Sequence, residues 1–520
     1  MYNLITLIAN NGTEYRFVDE IIASSSMADV YFSLDKKCIL KLFRNPVGLG
    51  FREWRDINRQ TKQVRNLIDK YAQLITENAK GEFWRDFFNY PIAYAEGECR
   101  FGVIIPTYNK HFFFESGCFQ GKEKEVKCFT SAKLRNKFLK AEQKGTWYNY
   151  FQICLKIAQM VKLLHQVGLV YSDLSYNTII IDPLTGSSCF TSYDQLRMLN
   201  VIDFPQNIPT PDFVAPETYE FKKNLRKNCQ CHDLEDRYNT VNRCYIPDIE
   251  TNNHALAVLV YMLLLYRHPL RGGKVHNMDS AKDEELTMGE KALFIEHPTD
   301  KSNAPNIEIL SPLELPQGDI NKLPYTICGP YLKDLFEKAF IDGLHNPKKR
   351  PIAEDWVTAL SKTMDLLLPC KNPVCESKWF VFDNSTKPRC PFCGKEYSEK
   401  LAILNFYYQT DKGTYLYENY RLMIYDKQYL YKWHINNLTT SEDMFLYENR
   451  IPVGDFYLSN GKWYLRNLAL DNLYDKDLNI KIEIGNSIEL SNGKKILLSV
   501  EDGGRLVVVQ LTNSAVESRC

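Results

Sequence analysis

Four cysteines in the second half of the chain constrain its folding most. Cys370 and Cys375 are followed, after fourteen residues, by Cys390-Pro391-Phe392-Cys393-Gly394. Two thiol pairs, the second in a Cys-Pro-x-Cys-Gly turn, make a four-cysteine zinc ribbon, because four thiolates close a tetrahedral shell around Zn2+. A closed shell has no open position, so the expected role is structural. The cluster also divides the chain. Before Pro369 the sequence is mixed and then mainly helical. From 401 to 511, short Tyr-, Ile- and Val-rich runs are punctuated by Lys427-Gln428, Asn460-Gly461, Asn492-Gly493 and Gly503-Gly504. That is the pattern of an all-β module.

The other cysteines read as free thiols. There are 15 in 520 residues. The count is odd, the chain is long, and Met1 to Thr6 lacks the basic start and apolar run of a signal peptide, so a cytoplasmic location is expected. Cys229-Gln230-Cys231-His232 with Cys244 reads better as loop cysteines than as a second metal site. The longest apolar run, Ala255 to Tyr266, has 12 residues. It is shorter than the roughly 18 a membrane span needs and reads as a buried helix. Lys+Arg and Asp+Glu are both 64. Zero net charge argues against a global grip on nucleic acid or anionic membrane. The Lys-rich 122–144 stretch, inside a polar excursion over 115–145, is therefore expected to be a solvated insertion.

In the first half, Tyr15-Arg16-Phe17-Val18 and Val30 to Leu34 alternate as hairpin strands do. Arg52 to Asn78 has no Gly or Pro and places Trp54, Ile57, Val64, Leu67, Ile68 and Tyr71 at helical spacing. Phe101 to Pro106 predicts a strand ended by proline. Trp147 to Val167 predicts a helix with Gly168 as its C-terminal cap. Short strands are expected at Leu169–Tyr171, Thr178–Ile181 and Met198–Ile202.

Four groups of residues then fall in an informative order. A small-residue turn, Ala23-Ser24-Ser25-Ser26-Met27-Ala28-Asp29-Val30, lies between two strands. Lys41 follows on the next strand. Tyr171-Ser172-Asp173-Leu174-Ser175-Tyr176-Asn177 comes after the long helix. Val201-Ile202-Asp203-Phe204 and Phe213-Val214-Ala215-Pro216-Glu217 complete the series.

Over roughly residues 15–365 this order resembles the protein-kinase superfamily, whose signature is a Gly-rich loop, a strand Lys, a catalytic-loop Asp and Asn, a metal-binding Asp and an Ala-Pro-Glu segment. The resemblance implies ATP and Mg2+ as cofactors, because phosphoryl transfer needs positioned charge more than covalent help. It implies that Lys41 pairs with the phosphates and that Asp173 orients or accepts the proton of an attacking hydroxyl. Asn177 and Asp203 would hold Mg2+. Ala23, Ser25, Ala28 and Val30 would line the nucleotide, with small residues where glycines usually stand. Glu53 or Asp56 is the candidate carboxylate for Lys41. Glu217 would pair with Arg350, and Asn252 replaces the aspartate that usually opens the buried central helix.

The sequence departs from the family pattern in three places. Tyr171-Ser172 replaces the usual His-Arg, the Asp173–Asn177 interval is one residue short, and Asp203-Phe204-Pro205 replaces Asp-Phe-Gly. The missing Arg removes the usual anchor for a phosphorylated activation loop. The short loop is locally similar to the atypical RIO kinases. The whole resembles bacterial serine/threonine kinases of the tellurium-resistance-associated type with a C-terminal zinc ribbon. That resemblance implies a protein substrate, with a von Willebrand-type protein and a phosphatase as partners.

The expected architecture is α+β. A two-lobed protein-kinase-like fold (1–108 and 109–369) precedes the zinc ribbon (370–400) and a β-sandwich interaction module (401–520). Gly461 to Leu468 and Gly485 to Leu490 resemble a forkhead-associated domain, with Arg450 and Ser459 as candidates for phosphate contact. The leading expectation is a serine/threonine protein kinase; a pseudokinase scaffold and a kinase-fold AMP transferase are the alternatives.

Overall fold

The computed structural model describes residues 3–24, 28–43, 61–62, 64–66, 68–69, 87–97, 100–191, 193–199, 209–228, 247–385, 387–410, 414–439, 444 and 447–512. Ser25, Glu53, Asp56, Asp203, Cys229, Cys231, His232 and Cys244 lie outside them.

Helices and sheets are mixed along the chain, as α+β requires. A hairpin of β1 (Leu4–Ile8) and β2 (Glu14–Val18) precedes a five-stranded antiparallel sheet. That sheet contains β3 (Ala23–Ser24), β4 (Ala28–Phe32), β5 (Cys38–Phe43), β6 (Ala93–Gly97) and β7 (Arg100–Pro106), in the order β3-β4-β5-β7-β6. The period of two in a strand decides its faces. Leu40, Leu42, Tyr31 and Ile104 pack with Phe17 of the hairpin. Phe43, Ala28, Val103 and Ile105 point the other way, into the main core, together with Val64 and Ile68 from the helical residues 64–66 and 68–69.

Below the sheet the chain is helical. Helix α2 (Trp147–Gln166) starts where the Thr146 hydroxyl accepts the Asn149 amide, and it ends before Gly168, whose φ of +72° suits glycine. Between β7 and α2 the chain is ordered rather than a solvated excursion. Helix α1 (Ala132–Phe138) packs there, and Phe114 stacks on Phe129 at 5.9 Å. Lys124 is buried against Asp182 at 2.7 Å, and the Arg135 guanidinium lies 4.0 Å from the Tyr266 ring. The apolar anchors Phe112, Phe114, Val126, Phe129 and Leu139 are spaced irregularly, so no period announced them. Lys124 and Arg135 thus each find an acidic or aromatic partner.

Two hairpins follow: β8 (Leu169–Tyr171) pairs with β11 (Leu196–Met198), and β9 (Ile179–Asp182) pairs with β10 (Ser187–Phe190). Helix α3 (Pro216–Asn228) precedes α4 (Ile249–Leu265), in which every residue from Thr251 to Leu265 is buried. Asp248 caps α4 by accepting the Thr251 amide at 2.7 Å. Then come α5 (Ser280–Met288), α6 (Pro330–Glu337) and α7 (Ala353–Met364), which lies against α2 with a Lys162–Glu354 ion pair between them. Among the described residues, no helix is long and apolar enough to cross a membrane.

A hairpin of β12 (Leu367–Pro369) and β13 (Trp379–Val381) carries the first cysteine pair. Beyond it are two antiparallel sheets. One contains β14 (Ala402–Gln409), β15 (Tyr415–Met423), β19 (Tyr474–Asp475), β20 (Ile480–Lys481), β22 (Lys495–Leu497) and β23 (Arg505–Leu511). The other contains β16 (Tyr429–Leu430), β17 (Gly454–Ser459), β18 (Lys462–Asn467) and β21 (Ser487–Glu489). Phe406 and Val507 from the first share a core with Phe456 and Leu465 from the second. Asp365, just past α7, joins this β-rich part to the helices. Its main-chain carbonyl accepts from Met423 and its carboxylate from Tyr420 and His434.

Candidate functional site

Sheet register assembles the first part of the site. Ala23 pairs with Val30, Val30 with Lys41, and Lys41 with Val103, so these four residues form one row on one face. Ala28 sits further along β4, opposite Phe43. The Lys41 ammonium lies 5.6 Å from the Phe43 ring and 5.7 Å from the Tyr193 ring. Tyr193 opens a one-turn segment, Tyr193–Gln195, that leads into β11. Gln195 in turn holds Ser172: its carbonyl accepts the Ser172 amide at 2.8 Å, and its side chain accepts the Ser172 hydroxyl at 2.6 Å. Lys41 is thus tied, through one short turn, to the residue before Asp173. That turn carries Asp194. A strand is observed at Leu196–Met198, and residues 200–202 of the strand expected over Met198–Ile202 lie outside the described residues.

The loop after β8 forms the second part. Asp173 is half-buried, and both of its carboxylate oxygens meet one residue. The Thr210 amide donates to Oδ1 at 2.9 Å and its hydroxyl donates to Oδ2 at 3.0 Å. Asn177 also reaches the Thr210 hydroxyl, at 3.0 Å, and Ser175 lies 3.1 Å from it. Burial raises the pKa of Asp173 and the bonds from Thr210 act against that rise. The carboxylate is therefore aimed and remains a competent proton acceptor. Sequence reasoning missed Thr210, although it stands immediately before Pro211 in the run that ends at Glu217.

The segment carrying Thr210 is anchored twice. The Tyr176 hydroxyl donates to Asp212 at 2.8 Å, and Arg271 donates to the other Asp212 oxygen at 2.6 Å. Burial would raise the Asp212 pKa, but His268 and Arg271 outweigh it and hold the carboxyl low. His268 is itself pushed down to about 4 by burial, so the lasting charge is that of Arg271. Further on, the Glu217 carboxylate takes two bonds from Arg350, each 2.7 Å. The Arg350 side chain is 1% exposed. The expected Glu217–Arg350 pair is present.

Asn252 occupies the position expected of an acidic residue, and the geometry explains why an amide serves. Its oxygen accepts the Tyr171 amide at 2.8 Å, and its nitrogen donates to the Tyr171 carbonyl at 2.7 Å. A carboxylate could satisfy only the first. This pins β8, and hence the loop bearing Asp173, to the buried helix α4.

The cysteine cluster lies elsewhere. The sulfurs of Cys370, Cys375, Cys390 and Cys393 all lie within 4.8 Å of one another. Cys370–Cys393 is 3.5 Å and Cys375–Cys390 is 4.0 Å. A disulfide needs about 2.05 Å. Tetrahedral zinc with bonds near 2.3 Å separates its sulfurs by about 3.8 Å, so the set fits that ion. The cluster rests on the start of α2. The Trp147 and Phe392 rings are 4.9 Å apart, and the Trp147 amide donates to Ser377.

The two phosphate-contact candidates in the β-rich part play different structural roles. Arg450 ends the one-turn helix Tyr447–Arg450 and faces a cavity. Ser459 ends β17, opposite Lys462 across the Asn460-Gly461 turn.

No family model matches the chain, and no curated protein does. Among solved structures, a Toxoplasma gondii rhoptry antigen kinase domain is similar to 70% of this chain and 86% of its own, with a TM-score of 0.39 and 10% identity. An overlap that low carries no argument.

Proposed function

We propose that residues up to about 369 form a two-lobed, protein-kinase-like phosphotransferase. The observation that carries this reading is the hold of Thr210 on Asp173. A half-buried loop carboxylate is fixed through both oxygens, and Asn177 shares the same hydroxyl. A scaffold has no need of a half-buried acid, whose desolvation costs free energy. The Glu217–Arg350 anchor and the Lys41 row support the same reading.

ATP with Mg2+ would supply the transferable phosphoryl group and neutralise its charge. Lys41 would hold phosphate oxygens from the sheet side. Asp173 would orient an acceptor hydroxyl and take its proton, a task suited to a carboxylate with a raised pKa. Asn177 stands where a metal could meet the loop. Asp203, the expected second metal ligand, lies outside the described residues. Asp194, in the turn whose Tyr193 faces Lys41, is a further candidate by its place in the chain. The acceptor class we favour is a serine or threonine of a protein. The cysteine cluster is taken as a structural zinc ribbon, and the two-sheet module as a partner-recognition domain of the forkhead-associated kind.

The test is intact mass after incubation with ATP and Mg2+, with Asp173→Asn alongside. A gain of about 80 Da per site in the wild type alone supports phosphoryl transfer. A gain of one AMP unit would instead identify an AMP transferase. Failure of either protein to gain mass or to phosphorylate a mixed protein substrate, with measurable ATP affinity, would favour a scaffold.

A further inference from the structure

A cavity of about 570 Å³ lies apart from the site above. It lies where Phe87 to Ile92, the chain after β7, β10 and α2 converge, and neither Lys41 nor Asp173 lines it. Its walls are aromatic: Phe87, Tyr90, Tyr108 and Phe112. Asn89 seals one side, its amide donating to the Phe190 carbonyl and its side chain to the Pro106 carbonyl.

Among the described residues, the charged side chains that line it are those of Lys156 and Arg450. Lys156 of α2 enters from below, its ammonium 2.7 Å from the Gly186 carbonyl and 5.8 Å from the Phe87 ring. Arg450 arrives from the β-rich module, its Nε held by the Met444 carbonyl. No Asp or Glu among the described residues lines the cavity. His111 Nε2 is shielded from solvent with no hydrogen-bond partner among the described residues, and burial lowers that ring's pKa, which favours its neutral form. The volume is that of an ordinary small-molecule pocket, apolar with a few convergent polar groups.

We propose that this cavity is a binding site for a planar aromatic anion, stacked between the aromatic walls with its charge toward Lys156 and Arg450. Such a ligand would touch Ile92 just before β6 and Pro106 at the end of β7, the helical part at Lys156, and the β-rich module at Arg450. Its binding does not depend on the proposed phosphotransferase reading.

The probes are 2-naphthoate and its neutral isostere 2-naphthamide, titrated into the full chain and followed by naphthalene fluorescence anisotropy. Naphthoate should bind saturably at one site per chain and at least tenfold more tightly than the amide. Arg450→Gln, at an exposed position that keeps the fold, should remove most of that preference and leave amide binding unchanged. Saturating ATP with Mg2+ should not displace naphthoate. Equal affinity for the two probes, an unchanged preference in Arg450→Gln, displacement by ATP, or no binding would each overturn the assignment.

Discussion

The Glu217–Arg350 pair offers the sharpest test of how the candidate site is held. Glu217→Gln keeps the shape and removes the charge. Arg350 would then retain bonds to the Gly343, Glu250 and Leu344 carbonyls but lose its only described anion. Leaving a buried guanidinium without its partner costs about 3–5 kcal/mol when both groups are buried. The Glu217 side chain is 34% exposed, and water will replace part of what is lost. A cost of about 2–3 kcal/mol is expected, read from urea unfolding followed by tryptophan fluorescence at unchanged slope. Arg350→Met combined with Glu217→Gln should cost less than the sum of the two single changes, because no stranded charge remains. The effect should also reach the site: Glu217 is seven residues from Thr210, so amide exchange over 209–215 should quicken in the single variant. A loss below about 0.5 kcal/mol, the size of an ordinary surface change, would refute the reasoning.

Thr210→Val removes the hydroxyl that bonds Asp173 while keeping the amide. Activity should fall about tenfold, the worth of one charge-assisted bond, and the acid limb of kcat/KM should move to higher pH because the charged carboxylate loses a donor. Asn252→Leu strands the amide and carbonyl of Tyr171 and should cost about 3 kcal/mol in unfolding measurements, whereas Asn252→Asp should restore only the amide contact. His165 and His268 are both pushed down to about 4 by burial, below the usual 6.5. The unfolded chain therefore takes up their protons first, so stability is intact above pH 6.5 and falls as pH drops toward 4, by about 2 kcal/mol per histidine at pH 5 in acid titrations. Atomic absorption should find one zinc per chain, and Cys390→Ser should lose it and red-shift the emission of Trp147, which leans on Phe392. On the proposed reading, Mg2+-dependent nucleotide affinity should fall in Asp194→Asn or in Asp203→Asn, and a fall in neither would count against a metal-bound nucleotide.

What the sequence made legible was order and local periodicity. The Cys370–Cys393 spacing brings its four sulfurs together because a short hairpin can close that distance without help from the rest of the chain. Val30 and Lys41 meet because a tight hairpin fixes their register. Glu217 and Arg350 were readable as a pair only through the resemblance, since 133 residues separate them. Where partners come from distant segments without such a guide, the sequence was silent. The residues over 115–145 look solvated because their lysines and arginines are visible, while the groups that answer them, Asp182 and Tyr266, lie far along the chain. Thr210 illustrates the same limit within the candidate site. A threonine before a proline is an ordinary turn residue. It becomes the organiser of Asp173 only when the Glu217 anchor and the Tyr176–Asp212–Arg271 contacts press its segment onto the loop. The positioning of the acid is thus a tertiary property. On the proposed reading, variants at Glu217 and Asp212, which bond Arg350 and the Tyr176–Arg271 pair rather than Asp173, should therefore weaken transfer in the same sense as Thr210→Val.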